Sequence, residues 1–166
     1  KNKDLFAEKF EALVAEDTDL WYTANLVPTV SLARGKIVLV SRYNDNTKGI
    51  DLAHDWQDSA TFNITNLPYI YHIQDNYCLQ DNETKWNDIV SCLEFSSANI
   101  LPNVYTINFC SGYLKDGFPP SYSITVAKEI NKLALKEIPN YSCTGTILFD
   151  FFSEELAKAV YERNFA

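Results

Sequence analysis

The 166-residue sequence contains no methionine, not even at position 1, which indicates a processed chain or a piece of a longer one. Acidic residues outnumber basic ones by 22 to 14, a net charge of −8. This argues against nucleic acid as a partner, because binding its phosphates requires a basic face. A membrane-spanning helix needs about 18 consecutive apolar residues, and no run in the sequence is that long. With only five glycines, no glycine-rich loop follows a strand, and a nucleotide-binding fold is unsupported.

The chain has four cysteines, Cys78, Cys92, Cys110 and Cys143, and no CxxC pair, so a zinc site is a weak interpretation. We expect the sequence-nearest disulfides, Cys78–Cys92 and Cys110–Cys143, with buried free thiols as the alternative. Glycosylation sequons begin at Asn63, Asn82 and Asn140. An even cysteine count together with sequons predicts a secreted glycoprotein with disulfide bonds.

Four apolar segments, rich in β-branched and aromatic residues, are predicted to be buried strands: 36–42, 69–75, 104–109 and 146–151. Apolar residues at helical spacing predict helices at 4–16, 87–95 and 123–138, and another that begins after Ser153. In the first helix the apolar stripe is Phe6, Phe10, Leu13 and Val14. Residues 44–66 form a long polar connection in which no regular helix is expected. This alternation of strands and helices predicts an α/β fold.

Polar residues stand at the carboxyl ends of three predicted strands: Arg42, Asp75 and Asp150. In a (β/α)8 barrel the active site is built at that end of the strands. Such barrels typically need about 250 residues, so four strands in 166 residues correspond to half a barrel.

Five segments, in this order, carry a resemblance to a known family: ARGKIVLVSRY (33–43), WQDSATF (56–62), IQDNY (73–77), NVYTINF (103–109) and TILFDF (146–151). Together they resemble the C-terminal half of the X domain of phosphatidylinositol-specific phospholipase C, in its small secreted bacterial form, within the superfamily of phospholipase C-like phosphodiesterases. The resemblance implies that residues 1–166 form a single incomplete domain, roughly the last four βα units of a TIM-type barrel.

The resemblance gives roles to four residues. Arg42 and Asp75 are expected to bind the hydroxyls of an inositol ring, and Tyr77 to stack its face on that ring. These are suitable residue types, because arginine offers forked donors and tyrosine a flat apolar face. Asp150 is expected to orient a catalytic histidine. The family's acid and base are histidines on early strands, where an arginine also stabilises the phosphate, and none of these has a counterpart here.

Each role has a plainer alternative. Arg42 could pair with a carboxylate such as Asp45, and Asp75 and Tyr77 could be turn residues. Asp150 falls in an apolar strand, where a carboxylate is costly without a partner, so we expect it to have one.

The two histidines are not expected to replace the missing pair. His54 lies in the polar connection and should be solvated. His72 is out of phase with Asp75 and Tyr77 along its strand, so it should face the helix layer.

Residues 111–122 (SGYLKDGFPPSY) place aromatic and apolar residues around two prolines. In the family this loop helps to dock the enzyme on membrane, so Tyr113, Leu114 and Phe118 are expected at a membrane interface. A loop folded back over the core is the alternative.

Three functions stay open. The first is a phosphoric diester hydrolase that cleaves phosphatidylinositol, or its glycosylated anchor, to diacylglycerol and inositol phosphate, and is inactive without the N-terminal half. The second is a non-catalytic secreted module that binds inositol or membrane, and the third is another phosphodiesterase of the superfamily. Expected partners are a phosphatidylinositol-type lipid at a membrane surface and the N-terminal half of the barrel or a second chain. No cofactor and no metal are expected, and the location is secreted or extracellular.

Segments 36–42 and 146–151 would be open sheet edges that favour association.

Overall fold

The computed structural model describes residues 3–43, 48–115 and 122–165. The chain divides into two compact units, Lys1–Trp56 and Gln57–Ala166, and each is described by itself. No helix in the described ranges is long and apolar enough to cross a membrane.

The elements of the first unit are α1 (Lys3–Glu16), a 3-10 helix (Thr18–Leu20), β1 (Trp21–Tyr22), α2 (Val30–Ala33), β2 (Ile37–Val38), β3 (Val40–Ser41) and β4 (Ile50–Asp51). β1 pairs in parallel with β2, and β3 pairs in parallel with β4. The predicted continuous strand 36–42 is therefore divided in two. The reason lies at Leu39, whose amide donates to Tyr22 O (3.1 Å) while its carbonyl accepts from the Ile50 amide (2.9 Å), so the segment changes its partner there.

The apolar stripe of α1 differs from the prediction. Ala7 and Val14, seven residues apart, are the buried pair, whereas Phe6 and Leu13 are 55% and 50% exposed. Phe6 nevertheless packs edge-on against the ring of Tyr43, at 5.2 Å between centroids. Aromatic edge contact, in place of full burial, holds this side of the helix.

The second unit contains β5 (Thr61–Asn66), β6 (Tyr69–Gln74), β7 (Cys78–Leu79), α3 (Asn82–Ala98), β8 (Val104–Phe109), β9 (Tyr113–Leu114), α4 (Ser123–Glu137), a 3-10 helix (Ile138–Asn140), β10 (Thr146–Leu148), α5 (Glu154–Tyr161) and a 3-10 helix (Glu162–Phe165). Four strands form one sheet in the order β10-β8-β6-β5. The first three are parallel, and β5 runs antiparallel to β6. β7 and β9 form a separate parallel pair.

Helix and strand types are confirmed where the apolar pattern is strong, and β8 has the predicted bounds. The prediction of a polar connection over residues 44–66 is corrected, because this stretch includes the strand β5. Phe62 and Ile64 of β5 are buried, while the residues between and beside them are exposed. As expected, the described part of that connection has no helix. The sheet is thus mixed, because its fourth strand, β5, runs antiparallel to the three predicted parallel strands.

The helices cover one face of the sheet of the second unit. Ser153 caps α5, as predicted, by accepting from the Leu156 amide at 3.3 Å. The core on this face is formed by two clusters of buried residues: Leu79, Ile89, Leu93, Cys110, Val126 and Ile130, and then Ala134, Ile138 and Leu156. These clusters fix α3, α4 and α5 against the strands, and so fix the positions of the strand ends.

The predicted disulfides are wrong, because all four cysteines are free thiols. Cys110 follows the carboxyl end of β8, where its amide donates to Leu148 O (2.8 Å), whereas Cys143 precedes β10 and accepts from the Ser96 hydroxyl (3.4 Å). These are opposite ends of the sheet, while a disulfide needs Cα atoms within about 7 Å. Cys92 and Cys110 fit the alternative of buried thiols, and burial raises the pKa of each to about 12.

Candidate functional site

The carboxyl ends of β6, β8 and β10 lie along one edge of the sheet, because the three strands are parallel and adjacent. Asp75 and Tyr77 follow β6, Tyr113 lies shortly after β8, and Asp150 follows β10. Two strand spacings, roughly 10 Å, separate the outer strands of this set. The structure therefore brings three predicted site residues, Asp75, Tyr77 and Asp150, to one edge. Arg42 belongs to the other unit.

Asp75 is 6% exposed and lies directly after β6. Its amide donates to Ala60 O at 2.9 Å, which continues the β5–β6 pairing by one residue. Neighbouring side chains of β6 reach the helix layer, since Gln74 contacts Lys85 of α3 and His72 stacks on Phe95. By strand alternation, Asp75 is directed to the sheet face opposite the helices.

Tyr77 and Tyr113 form an aromatic pair at the site. Their ring centroids are 6.1 Å apart with planes inclined by 40°. The Tyr77 hydroxyl donates to Asp58, and this hydrogen bond is the main reason that the pKa of Tyr77 is raised to about 12. A hydrogen bond to Cys78 raises the pKa of Tyr113 as well. Both phenols therefore stay protonated near neutral pH, and two rings offer their faces to the apolar side of a ligand.

Ser59 holds the segment that carries Tyr77. Its hydroxyl oxygen accepts from the amides of Tyr77 (3.3 Å) and Cys78 (3.0 Å), and it donates to Asn76 Oδ1 (3.0 Å). Ser59 has φ of 47°, a left-handed conformation that residues with a side chain rarely adopt. Such strain persists only where the surroundings fix it, and it is typical of functional sites.

Asp150 lies beyond the end of β10 and not within an apolar strand, since the strand stops at Leu148 and Phe151 turns to φ of 51°. Asn131 of α4 fixes this turn, donating to Asp150 O (3.0 Å) and Phe151 O (3.3 Å). Asp150 is half-buried, so water can reach its carboxylate and a protein partner is not required. Asn131 thus fixes the backbone of Asp150 at the edge of the sheet formed by the strand ends.

Arg42, in the first unit, is exposed, and its guanidinium carbon lies 4.4 Å from the centroid of the Trp56 ring. This cation–π contact orients the guanidinium plane. The alternative partner Asp45 lies outside the described residues.

The two histidines lie in different units. His54 is exposed and belongs to the first unit. His72 stacks on Phe95 of α3, with centroids 4.0 Å apart, and its Nδ1 lies 2.8 Å from Asn63 Oδ1. The prediction that His72 faces the helix layer is confirmed. Burial lowers its pKa, because removal from water disfavours the charged ring.

The predicted membrane-interface residues differ from one another. Tyr113 is 44% exposed, but it belongs to β9 and not to a loop tip. Leu114 is half-buried against the core cluster, so its expected exposure is not observed, and at this position the chain folds back over the core. Phe118 lies outside the described residues.

The residues that fix the candidate site were not predicted from the sequence; they are Asp58, Ser59, Gln74, Asn76, Lys85 and Asp88. A usable signal existed for Lys85. It occupies the buried stripe of α3 at regular helical spacing with Ile89, Cys92, Leu93 and Ser96. A lysine on such a stripe indicates a buried polar contact, because a buried charge needs partners. Within the described ranges, no three potential metal ligands lie together.

No family model matches the sequence, and no curated protein matches it. The fold, however, matches solved structures. A pentafluoro-phenylalanine form of the Staphylococcus aureus phosphatidylinositol-specific phospholipase C has a TM-score of 0.75 and 20% identity, over 96% of this chain and 59% of that one. A second structure of this enzyme, concerned with its membrane binding, has a TM-score of 0.76 and 22% identity, over 93% and 57%. The Listeria monocytogenes enzyme has a TM-score of 0.67 and 22% identity, over 99% and 59%.

The chain therefore has a mixed α/β fold similar to that of bacterial phosphatidylinositol-specific phospholipases C. The predicted resemblance is confirmed in fold, as a partial phospholipase C-like domain. The chain spans 57–59% of the length of these three proteins.

Proposed function

We propose that this chain binds the inositol ring of a phosphatidylinositol-type lipid and forms one half of a phospholipase C-like phosphodiesterase barrel. The observation that carries this proposal is the position of Asp75 and Tyr77 after β6, at the sheet edge that Asp150 also occupies, in a fold that these phospholipases share. In parallel α/β sheets, ligands bind at the carboxyl ends of strands.

Each side chain has a role in this proposal. Asp75 accepts hydrogen bonds from ring hydroxyls, and Arg42 donates to them. Tyr77, with Tyr113 beside it, packs a ring face against the C–H side of the cyclitol. Asp150 orients a histidine that another polypeptide supplies.

Cleavage needs a general acid and a general base in addition to ring binding. With one histidine in the helix layer and the other exposed in the first unit, we propose that the chain is inactive by itself. Its partner is the N-terminal half of a barrel, which would pair along β10 and supply the catalytic histidines. In the part of the chain that the structure describes, β10 pairs with β8 alone.

The histidine positions also favour the second function, a non-catalytic module that binds inositol at a membrane. We place either form outside the cell. In support, the sequon asparagines Asn63 and Asn140 are exposed. The free thiols, in contrast, remove the disulfide argument for that location.

Titration with myo-inositol, followed by the NMR signals of the tyrosine rings, tests the ring site. We expect shifts at Tyr77 and Tyr113. Asp75→Asn should weaken binding by about tenfold or more, because hydrogen bonds to an ionised acceptor are the stronger kind. Tyr77→Leu should weaken it too, whereas Tyr122→Leu is the control, since Tyr122 is 69% exposed. Unaltered affinity in Asp75→Asn and Tyr77→Leu would contradict the proposed site.

Cleavage of phosphatidylinositol in mixed micelles separates the two functions. The chain is assayed alone and together with a polypeptide that supplies the N-terminal half. Activity that requires this half, and that falls in Asp150→Asn, supports the hydrolase. Inositol binding without turnover in either assay supports the binding module. Turnover by the chain alone would overturn the proposed division of roles.

A further inference from the structure

A lysine is buried beneath the candidate site. Lys85, in the first turn of α3, has 0% of its surface exposed. Burial lowers its pKa from 10.5 to about 8, partly offset by the nearby Cys110, Asp88, Asp75 and Cys92. A buried ammonium group is costly, so the groups that it contacts indicate why it is there.

Lys85 contacts both residues that flank Asp75. Its Nζ donates to Gln74 Oε1 at 3.0 Å and to Asn76 O at 2.5 Å. Gln74, also 0% exposed, is fixed in turn because its Nε2 donates to Asn108 Oδ1 and to Phe109 O, both at 2.8 Å. Lys85 thus holds the end of β6, and Gln74 connects that end to the end of β8.

Asp88, three residues after Lys85 on α3, holds the same segment through its side chain. Its Oδ2 accepts from Asn76 Nδ2 at 2.7 Å. The Asn76 amide donates to Gln74 Oε1 (2.8 Å), and Ser59 donates to Asn76 Oδ1 (3.0 Å). Every polar group of Asn76, which stands between Asp75 and Tyr77, therefore has a partner.

We propose that Lys85 and Asp88 are positioning residues, which fix the segment 74–78 from the helix side and so hold Asp75 and Tyr77 in the geometry that grips a polyhydroxylated ring. Both act on the segment from the helix side, while Asp75 is directed to the opposite face of the sheet. They act on the ligand only through the segment that they hold. The statement about the ring rests on the proposed function, whereas the fixation of the segment does not.

Amide hydrogen exchange tests the fixation without any ligand. Lys85→Met keeps the stem and removes the ammonium, and Asp88→Ala removes the other contact. In each variant we expect the amides of Asn76, Tyr77 and Cys78 to exchange about tenfold faster or more, while those in the middle of β8 stay protected. The matched controls are Lys132→Met on α4 and Glu94→Ala on α3, both exposed positions, which should leave these amides unchanged.

Titration with myo-inositol of the same four variants tests the consequence for binding. Lys85→Met and Asp88→Ala should bind about tenfold more weakly or worse, and the controls like the unaltered chain. If the unaltered chain binds no inositol while segment 74–78 loosens in the two variants, the ring function fails and the fixation stands. Unchanged exchange at Asn76–Cys78 in a folded Lys85→Met and in Asp88→Ala would overturn the inference. Should Lys85→Met not fold, Asp88→Ala alone decides it.

Discussion

Lys85 contributes differently to the order of the site and to the stability of the chain. Its ammonium holds the end of β6 by hydrogen bonds to Gln74 and Asn76, but removal from water penalises the charged form. In some proteins such groups are retained because they specify a geometry, although they add little to the free energy of unfolding. The balance is visible in its pKa, which lies near 8 in the folded chain and at 10.5 ordinarily.

The free energy of unfolding should therefore carry a contribution from Lys85 that rises with pH. Between about pH 8 and pH 10.5 the unfolded chain keeps the lysine proton that the folded chain has released, so stability increases through this window. The full contribution is of the order of 3 kcal/mol. Urea unfolding across this range, in the unaltered chain and in Lys85→Met, measures it as the difference between the two pH profiles.

The comparison with Lys85→Met is necessary because other groups act in the opposite direction. The raised pKa values of Cys92, Cys110 and the buried Tyr71 give stability at lower pH that is lost as their ordinary pKa values, 9.0 and 10.0, are passed. Both proteins share these groups. Identical profiles in the two proteins would show that folding does not lower the pKa of Lys85.

The site residues were predictable to different degrees. Asp75 and Tyr77 belong to a short motif at a strand end, and a motif of adjacent residues can be recognised from the sequence alone. Lys85 approaches Gln74 and Asn76 only after α3 has folded onto β6, so its contacts depend on tertiary packing. The broad α/β alternation was predictable because apolar periodicity is local. Asn131, which fixes the turn after β10, gave no signal in the sequence.

The predicted bounds of helices and strands were wrong where an element contains many polar residues. α3 begins at Asn82, five residues before its predicted start, because Asp81 caps it by accepting from the Thr84 amide at 2.6 Å. β5 was missed within a polar stretch, although Phe62 and Ile64 alternate there with exposed residues. Its antiparallel direction, which a parallel-sheet expectation does not include, explains the omission.

The approach of β10 to β8 depends on Gly145. A Cβ at this position would lie 1.7 Å from Thr106 Oγ1 and 2.9 Å from Thr106 O, and its φ is +61°. We expect Gly145→Ala to destabilise the second unit by about 3 kcal/mol, from the steric clash together with the left-handed backbone. Thermal unfolding measures the loss. Gly35→Ala is the control, because Gly35 has φ of +74° with nothing within 4 Å, so only the backbone cost of about 1 kcal/mol remains.

Equal losses in Gly145→Ala and Gly35→Ala would show that β10 can move away from β8 without penalty. The contact is important for the site because β10 carries Asp150 two residues beyond its end. A displaced β10 would shift that carboxylate relative to Asp75. Loss of the Cys110–Leu148 backbone hydrogen bond would accompany it.

For the whole chain, we expect β10 to favour association, because within the described residues it pairs with β8 alone. Unpaired N–H and C=O groups of an edge strand bind other strands, and Phe151 and Phe152, just beyond β10, are 60% and 62% exposed. Segment 36–42, the other predicted edge, finds partners in β1 and β4 within its own unit. We therefore expect self-association to depend on β10.

Size-exclusion chromatography with light scattering tests this expectation. The chain should elute as dimers or larger species at micromolar concentration. Leu148→Lys is the preferred variant, since Leu148 is 38% exposed, and it should shift the population towards monomer. A strictly monomeric unaltered chain would argue against an open half-barrel.

The small β7–β9 pair has a practical consequence. It joins the segment after β6 to the segment after β8 through backbone hydrogen bonds, with the Tyr113 amide donating to Tyr77 O at 2.9 Å and the Lys115 amide to Leu79 O at 2.8 Å. A displacement of one segment must be transmitted to the other. Under the proposed function, a fluorophore attached at the exposed Lys115, just after β9, should therefore report ligand binding at Asp75 and Tyr77, because the β7–β9 pair connects the two segments.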